Sequence, residues 1–308
     1  MTDQKFLYGR FKITEELGKG GTGTVFRAED TVEKREIALK IYHPDVTERI
    51  GLARFRRQFY LVAQLSHPRV VPTLETGVDD GSLWITMELL EGEPLDAIGL
   101  PIPPEKTARM LLQIAEGLEF IHGHNILHLD LKPGNIFVAD DGLRLMDFGI
   151  SGEPKRGICG TPAYMAPEIA TGGHIDTRAD LYSLGIVALE LLTGKNPFDS
   201  RSVKKSIRNQ IELTPEIPRF GKKYGPLSEI VGRLLAKNPI ERPPTAYSVR
   251  IALQDLLGIE RTPGESYFLP EGPFVDRENE LETILDKWQD IEKPETISIR
   301  GDPGIGVT

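Results

Sequence analysis

The chain is short of cysteine, of basic charge and of long hydrophobic runs. Its 308 residues contain a single cysteine, Cys159. No disulfide can form within it, and a reducing compartment is expected. The opening stretch MTDQKFLYGRFK lacks the apolar core of a secretory signal. The longest apolar run, LYSLGIVALELL over 181–192, is too short to cross a bilayer and reads as a buried helix. A cytoplasmic protein without a membrane span is the expectation. The 37 Lys and Arg residues are outnumbered by 46 Asp and Glu, giving a formal net charge of −9. A general nucleic-acid binder concentrates basic charge on one face, so no nucleic-acid partner is expected, while room remains for a local anion pocket.

What is present describes an ordinary globular chain, with 39% hydrophobic and 27% charged residues. Its length suits about two domains or one large bilobal one. Short β-rich runs come first: FKITEEL (11–17), GTVFRAE (23–29), EIALKIY (36–42) and LWITMEL (83–89). One helical pattern interrupts them, LARFRRQFYLVAQL (52–65), with Phe55, Tyr60, Val62 and Leu65 as apolar positions. After Gly92 the period becomes helical, in Leu111, Ile114, Ala115, Leu118 and Ile121 and again in Leu181, Leu184, Val187, Ala188 and Leu191. The expected fold class is α+β, with a small β-rich lobe over about 9–90 and a larger helical lobe over about 91–258. Residues 259–273, rich in Pro and Gly, read as a linker.

Two stretches carry chemistry. LGKGGTGTV (17–25) sets Gly18, Gly20 and Gly23 in a G-x-G-x-x-G arrangement. That spacing also opens dinucleotide-binding units, but there a helix follows the third glycine. Here Thr24, Val25 and Phe26 continue as a strand, so the glycines belong to a hairpin whose backbone amides can approach phosphates. Lys40 closes the strand Ile37-Ala38-Leu39-Lys40, and is either a solvated surface charge or a partner for those phosphates. HLDLKPGN (128–135) puts Asp130, Lys132 and Asn135 close together, and taken alone it could be an ordinary loop.

Taken together, these motifs resemble those of the eukaryotic-like, bacterial-type protein kinase family over residues 9–258. HLDLKPGN matches the catalytic loop, DFG (147–149) the metal-binding motif and GTPAYMAPE (160–168) the end of the activation segment. DLYSLG (180–185) and NPIERP (238–243) match later structural motifs. The resemblance implies a bilobal kinase fold and transfer of the ATP γ-phosphate to Ser or Thr of a protein substrate, with Mg2+ as the metal. It implies that Asp130 orients the acceptor hydroxyl, Lys132 sits beside the γ-phosphate and Lys40 meets the α- and β-phosphates. Asn135 and Asp147 would hold the metal, through the oxygen donors that magnesium prefers. Gly18, Gly20 and Gly23 would cover the phosphates. Leu17, Val25, Ala38 and Phe137 would sandwich the adenine, Met87 would be the gatekeeper, and the backbone of Glu88 and Leu90 would bond the adenine edge. Thr161 would bond Asp130 and Lys132, and His128 would be a packed structural residue.

Two positions depart from the family pattern. Leu129 replaces the arginine that pairs with a phosphorylated activation loop. Between Asp147 and Glu168 the only hydroxyl side chains are Ser151, Thr161 and Tyr164, so control from elsewhere in the chain is expected. Gln58 replaces the glutamate that fixes the catalytic lysine, which opens the alternative of a weakly active or inactive ATP-binding regulatory module. Beyond the linker, FVDRENEL (274–281) and the β-like TISIR before GDPGIGVT (301–308) resemble the start of an AAA or STAND-type P-loop ATPase domain. Val307 stands at its lysine position and Asp276 at a usual glycine.

Overall fold

The computed structural model describes residues 6–260, except 45, 47, 49–54, 56–58, 61, 80–81 and 149–159. Gln58, Ser151, most of the linker and all of 274–308 therefore lie outside the described residues.

The first lobe is an antiparallel sheet ordered β1-β2-β3-β4-β6-β5. Its strands are β1 (Phe6–Leu7), β2 (Phe11–Lys19), β3 (Gly23–Asp30), β4 (Arg35–Tyr42), β5 (Thr73–Asp79) and β6 (Ser82–Met87). Strand alternation sorts β4 between two cores. Ile37 and Leu39 pack with Phe11 and Ala28, whereas Ala38 and Tyr42 pack with Phe55, Phe59, Ile85 and Met87. Lys40 belongs to the second face by the same alternation and is only 4% exposed.

The helical segment before residue 65 corrects one sequence expectation. Phe55, Phe59, Val62 and Leu65 are buried, but Tyr60 is 66% exposed. Counting from Phe55, residues 59 and 62 fall on the same helical face and 60 does not.

A second sheet joins β7 (Gly92–Pro94), β8 (Ile136–Ala139) and β9 (Gly142–Leu145). The helical lobe contains α1 (Pro104–Gly123), α2 (Pro167–Thr171), α3 (Arg178–Thr193), α4 (Val203–Glu212), α5 (Gly225–Leu234) and α6 (Ala246–Leu257). Every residue of α3 from Ala179 to Leu189 is buried, the pattern of a helix surrounded by protein. Helices α1, α5 and α6 pack around the same core. Helix α6 is capped at both ends, by the Thr245–Ser248 capping box and by Gly258 in the left-handed conformation.

His67 stacks on Phe120 of α1, with ring centroids 4.5 Å apart. Its Nδ1 accepts the Arg69 amide at 3.1 Å, and burial with the nearby Arg69 charge lowers its pKa to about 4. A histidine whose folded pKa is depressed from 6.5 stabilises the fold above its unfolded pKa and loses that contribution as pH falls toward 4. Thermal midpoints measured between pH 7 and 4.5 should decline, and His67→Phe, which cannot titrate, should flatten that decline. An unchanged slope would rule His67 out as a source of acid sensitivity.

Candidate functional site

The glycine loop is the β2–β3 hairpin turn. The Gly20 amide donates to the Gly23 carbonyl at 2.9 Å, and the Thr22 carbonyl accepts the His43 amide at 3.1 Å. A Cβ on Gly23 would fall 2.2 Å from the Ile41 carbonyl oxygen, so only glycine lets β3 pass this close to β4. No helix follows the turn, which runs directly into β3, so the helix that a dinucleotide-binding unit requires is absent here.

Below it, Val25 lies opposite Lys40 across β3–β4, and Ala38 opposite Met87 across β4–β6. Ala38 and Met87 are buried, Val25 and Phe137 half-buried, and Leu17 is 46% exposed. The Glu88 amide is already donated to the Pro72 carbonyl at 3.1 Å, so only its carbonyl is left for a ligand. The Lys40 ammonium pairs with Asp147 at 2.7 Å. Asp147 sits at φ +59°, an unusual conformation for a non-glycine residue that aims its carboxylate at Lys40.

The catalytic-loop motif converges on Asp130. Thr161 donates to its Oδ1 twice, from the backbone amide at 2.7 Å and from the hydroxyl at 2.8 Å. Lys132 Nζ lies 3.0 Å from Oδ2 and donates to the Thr161 hydroxyl at 2.7 Å. Asn135 Nδ2 donates to Oδ2 at 3.0 Å and to the Asp130 carbonyl at 2.8 Å. This commitment leaves Asn135 Oδ1 as that side chain's donor to a cation. Gly160, at φ +88°, admits the approach of Thr161, because a Cβ there would fall 2.4 Å from the Leu129 carbonyl.

The turn before Asp130 is held from α3. Asp180, fully buried, accepts the His128 and Leu129 amides at 2.8 Å each and His122 Nε2 at 2.8 Å. Burial opposes ionisation of Asp180, but the bonds from His122 and the backbone outweigh it and hold the carboxyl below its usual range. Leu129 accordingly adopts φ +58°, and its side chain packs against the helical core. His128 is fully buried beside Phe148, and that burial lowers its pKa.

The segment after Thr161 is anchored separately. Glu168 forms a bidentate pair with Arg242 at 2.6 and 2.8 Å, and Arg242 also donates to the carbonyls of Arg178, Ala236 and Lys237. The sequence motifs containing Asp180, Glu168 and Arg242 were visible, but nothing local revealed that these residues pair across 50 positions or more.

Replacing Asp180 by Asn should destabilise the fold by about 2 kcal/mol, because an amide N–H would face buried donors. The urea midpoint should fall with its slope unchanged. A shift equivalent to under about 0.5 kcal/mol would show that the turn does not need this carboxylate.

Comparison with known proteins agrees with this geometry. Residues 11–252 match the protein kinase domain family. The chain is 36% identical over 273 residues to serine/threonine-protein kinase pkn2 of Myxococcus xanthus, covering 82% of this chain and 33% of that protein. It is 37% identical over 266 residues to the DNA damage-responsive serine/threonine-protein kinase RqkA of Deinococcus radiodurans, covering 79% of this chain and 39% of that one. The chain thus spans well under half the length of these two curated relatives. The crystal structure of the Mycobacterium tuberculosis PknI kinase domain superposes with a TM-score of 0.65 at 25% identity, covering 83% of this chain and all of the other.

Proposed function

The chain belongs to the protein kinase family, and on that premise we propose that it transfers the ATP γ-phosphate to serine or threonine hydroxyls of a protein substrate. The family uses ATP and a divalent metal; Mg2+ is our specific assignment. The observation that carries the reading is the Asp130 carboxylate, held by Thr161, Lys132 and Asn135 in one arrangement. A carboxylate so placed can accept a hydrogen bond from an incoming hydroxyl and set its oxygen toward phosphorus. Lys132, within reach of both Asp130 and Thr161, supplies positive charge against the transferring group.

Lys40 is the cation for the α- and β-phosphates, under the glycine hairpin of Gly18, Gly20 and Gly23. Leu17, Val25, Ala38 and Phe137 bracket the adenine, with the Glu88 carbonyl and Leu90 amide at its edge. Asp147 and Asn135 Oδ1 are the protein's metal donors. Two hard oxygen donors suit Mg2+, which commonly binds one or two carboxylates and completes its shell from nucleotide phosphates and water. Bound there, the metal would neutralise phosphate oxygen charge.

Leu129 supports a further element of the reading. Its side chain is half-buried against the helical core, and it offers no charge to a phosphate on the activation segment. We assign control to the C-terminal ATPase portion or a ligand bound there. We assign residues 9–258 to the kinase domain, 259–273 to a linker and 274–308 to the start of a P-loop ATPase domain, the last on FVDRENEL, TISIR and GDPGIGVT. No described helix is long and apolar enough to cross a membrane, and we place the protein in the cytoplasm.

Incubation with γ-labelled ATP, Mg2+ and a generic protein substrate should yield phosphoserine and phosphothreonine. Asp130→Asn should lower the rate at least about 100-fold while nucleotide binding persists. Nucleotide binding without any transfer by the unaltered chain would instead establish the regulatory module suggested by Gln58.

Exhaustive phosphatase treatment, and separately Ser151→Ala, should leave activity within about twofold. Loss of most activity in either case, with ATP affinity retained, would identify the activation segment as a phosphoswitch through a receiver other than residue 129.

A further inference from the structure

Helix α4 attaches to the rest of the lobe in an unusual way. Its buried residues are polar, Ser206 and Gln210, while Val203 and Ile211 are 54% and 42% exposed. An amphipathic helix ordinarily buries its apolar side. The more deeply buried of the two is Gln210, at 0% exposure, with both polar side-chain atoms engaged. Gln210 Nε2 donates to the Ala163 carbonyl at 2.7 Å and to the Pro162 carbonyl at 3.3 Å. Its Oε1 accepts the Tyr182 hydroxyl at 2.9 Å.

The other end of this contact is also fixed. Lys237 Nζ donates to the Gln210 carbonyl at 2.8 Å and to the Tyr182 hydroxyl at 2.7 Å. The ammonium lies 4.6 Å from the Phe198 ring centre and 5.2 Å from that of Tyr182. So α3, α4 and the turn after α5 meet at one buried residue, Gln210, whose backbone carbonyl takes Lys237 and whose side-chain amide takes Tyr182. That amide grips the two residues that follow Thr161, whose hydroxyl and amide hold Asp130.

A peptide whose hydroxyl reaches Asp130 must lay its flanking backbone on the surface next to Thr161, because that residue adjoins Asp130. We infer that Gln210 is a positioning residue for the protein substrate, holding the Thr161–Ala163 segment in the shape that receives the acceptor peptide. It touches neither nucleotide nor reacting atoms. This inference rests on the kinase reading, and predicts an effect on one substrate and not the other. The Asn196 side chain also reaches the Ala163 carbonyl, at 3.1 Å, so loss of Gln210 loosens the segment without freeing it.

The informative variant is Gln210→Glu in the full chain. It keeps the shape and the acceptor for Tyr182, but sets an oxygen against two carbonyls where a donor was. Gln210→Met, of similar volume and without a donor, is the second variant should the first fail to fold. The KM for a serine-containing peptide should rise about tenfold, as expected for losing one buried tie, with the KM for ATP and peptide-independent ATP hydrolysis within twofold. Amide hydrogen exchange should quicken at residues 161–165 and remain unchanged at 128–135. Unchanged peptide KM, or parallel changes in both KM values with faster exchange throughout the lobe, would overturn the inference. An unaltered chain that transfers no phosphate contradicts the kinase reading instead, and the exchange pattern then decides the tether by itself: faster exchange confined to 161–165 upholds it, and no such change removes it.

Discussion

The Asp130 carboxylate is the point on which the site depends. It collects four donors: the amide and hydroxyl of Thr161, the Lys132 ammonium and the Asn135 amide. These come from the catalytic loop and from the far end of the activation segment, joined by no local hydrogen-bonding pattern. A buried or half-buried carboxylate with several donors is costly to leave half-satisfied, so the four groups specify one another's positions. In the proposed function this carboxylate must also remain able to accept a hydrogen bond from a substrate hydroxyl. Its interactions therefore serve position first and stability second.

The surrounding structure exists to keep that cluster in place. Asp180 reaches up from the buried helix α3 to fix the turn that delivers Asp130, and Gly160 leaves the space through which Thr161 approaches. The Glu168–Arg242 pair anchors the continuing chain. Such a buried pair is weak evidence for net stability, but Arg242 donates to three carbonyls besides, and so ties one segment to several others. On the opposite side, β4 places Lys40 on the same face as Ala38 and Tyr42, inside a hydrophobic environment where the Asp147 carboxylate compensates its charge.

The two-lobed plan was legible because it is periodic. Alternation in Ile37 to Tyr42 and the all-round burial of 179–189 both leave local traces. The candidate site was legible because its residues occur as contiguous words: the glycine hairpin, the loop around Asp130 and the segment at Asp147. Pairing was not legible. Nothing in the composition of DLYSLG announces that Asp180 caps a turn 51 and 52 residues earlier, nor that Gln210, on a helix with exposed apolar residues, is tied in by hydrogen bonds to Pro162, Ala163 and Tyr182. Tyr60 shows the same limit at shorter range. Beside Phe59 on a partly charged helix, a large aromatic passes for a core residue until the phase of the helix is fixed by its neighbours.

The claim that Asp130 and Thr161 work as one unit separates this account from one in which each contributes on its own. A double-mutant cycle on phosphate transfer tests it most directly, with Asp130→Asn, Thr161→Ala and the two combined, each checked for intact folding and nucleotide binding. Groups acting as a unit give strongly non-additive effects. The account predicts that the double variant is no slower, within about threefold, than the worse of the two single variants. Multiplication of the two single losses in the double variant would contradict it.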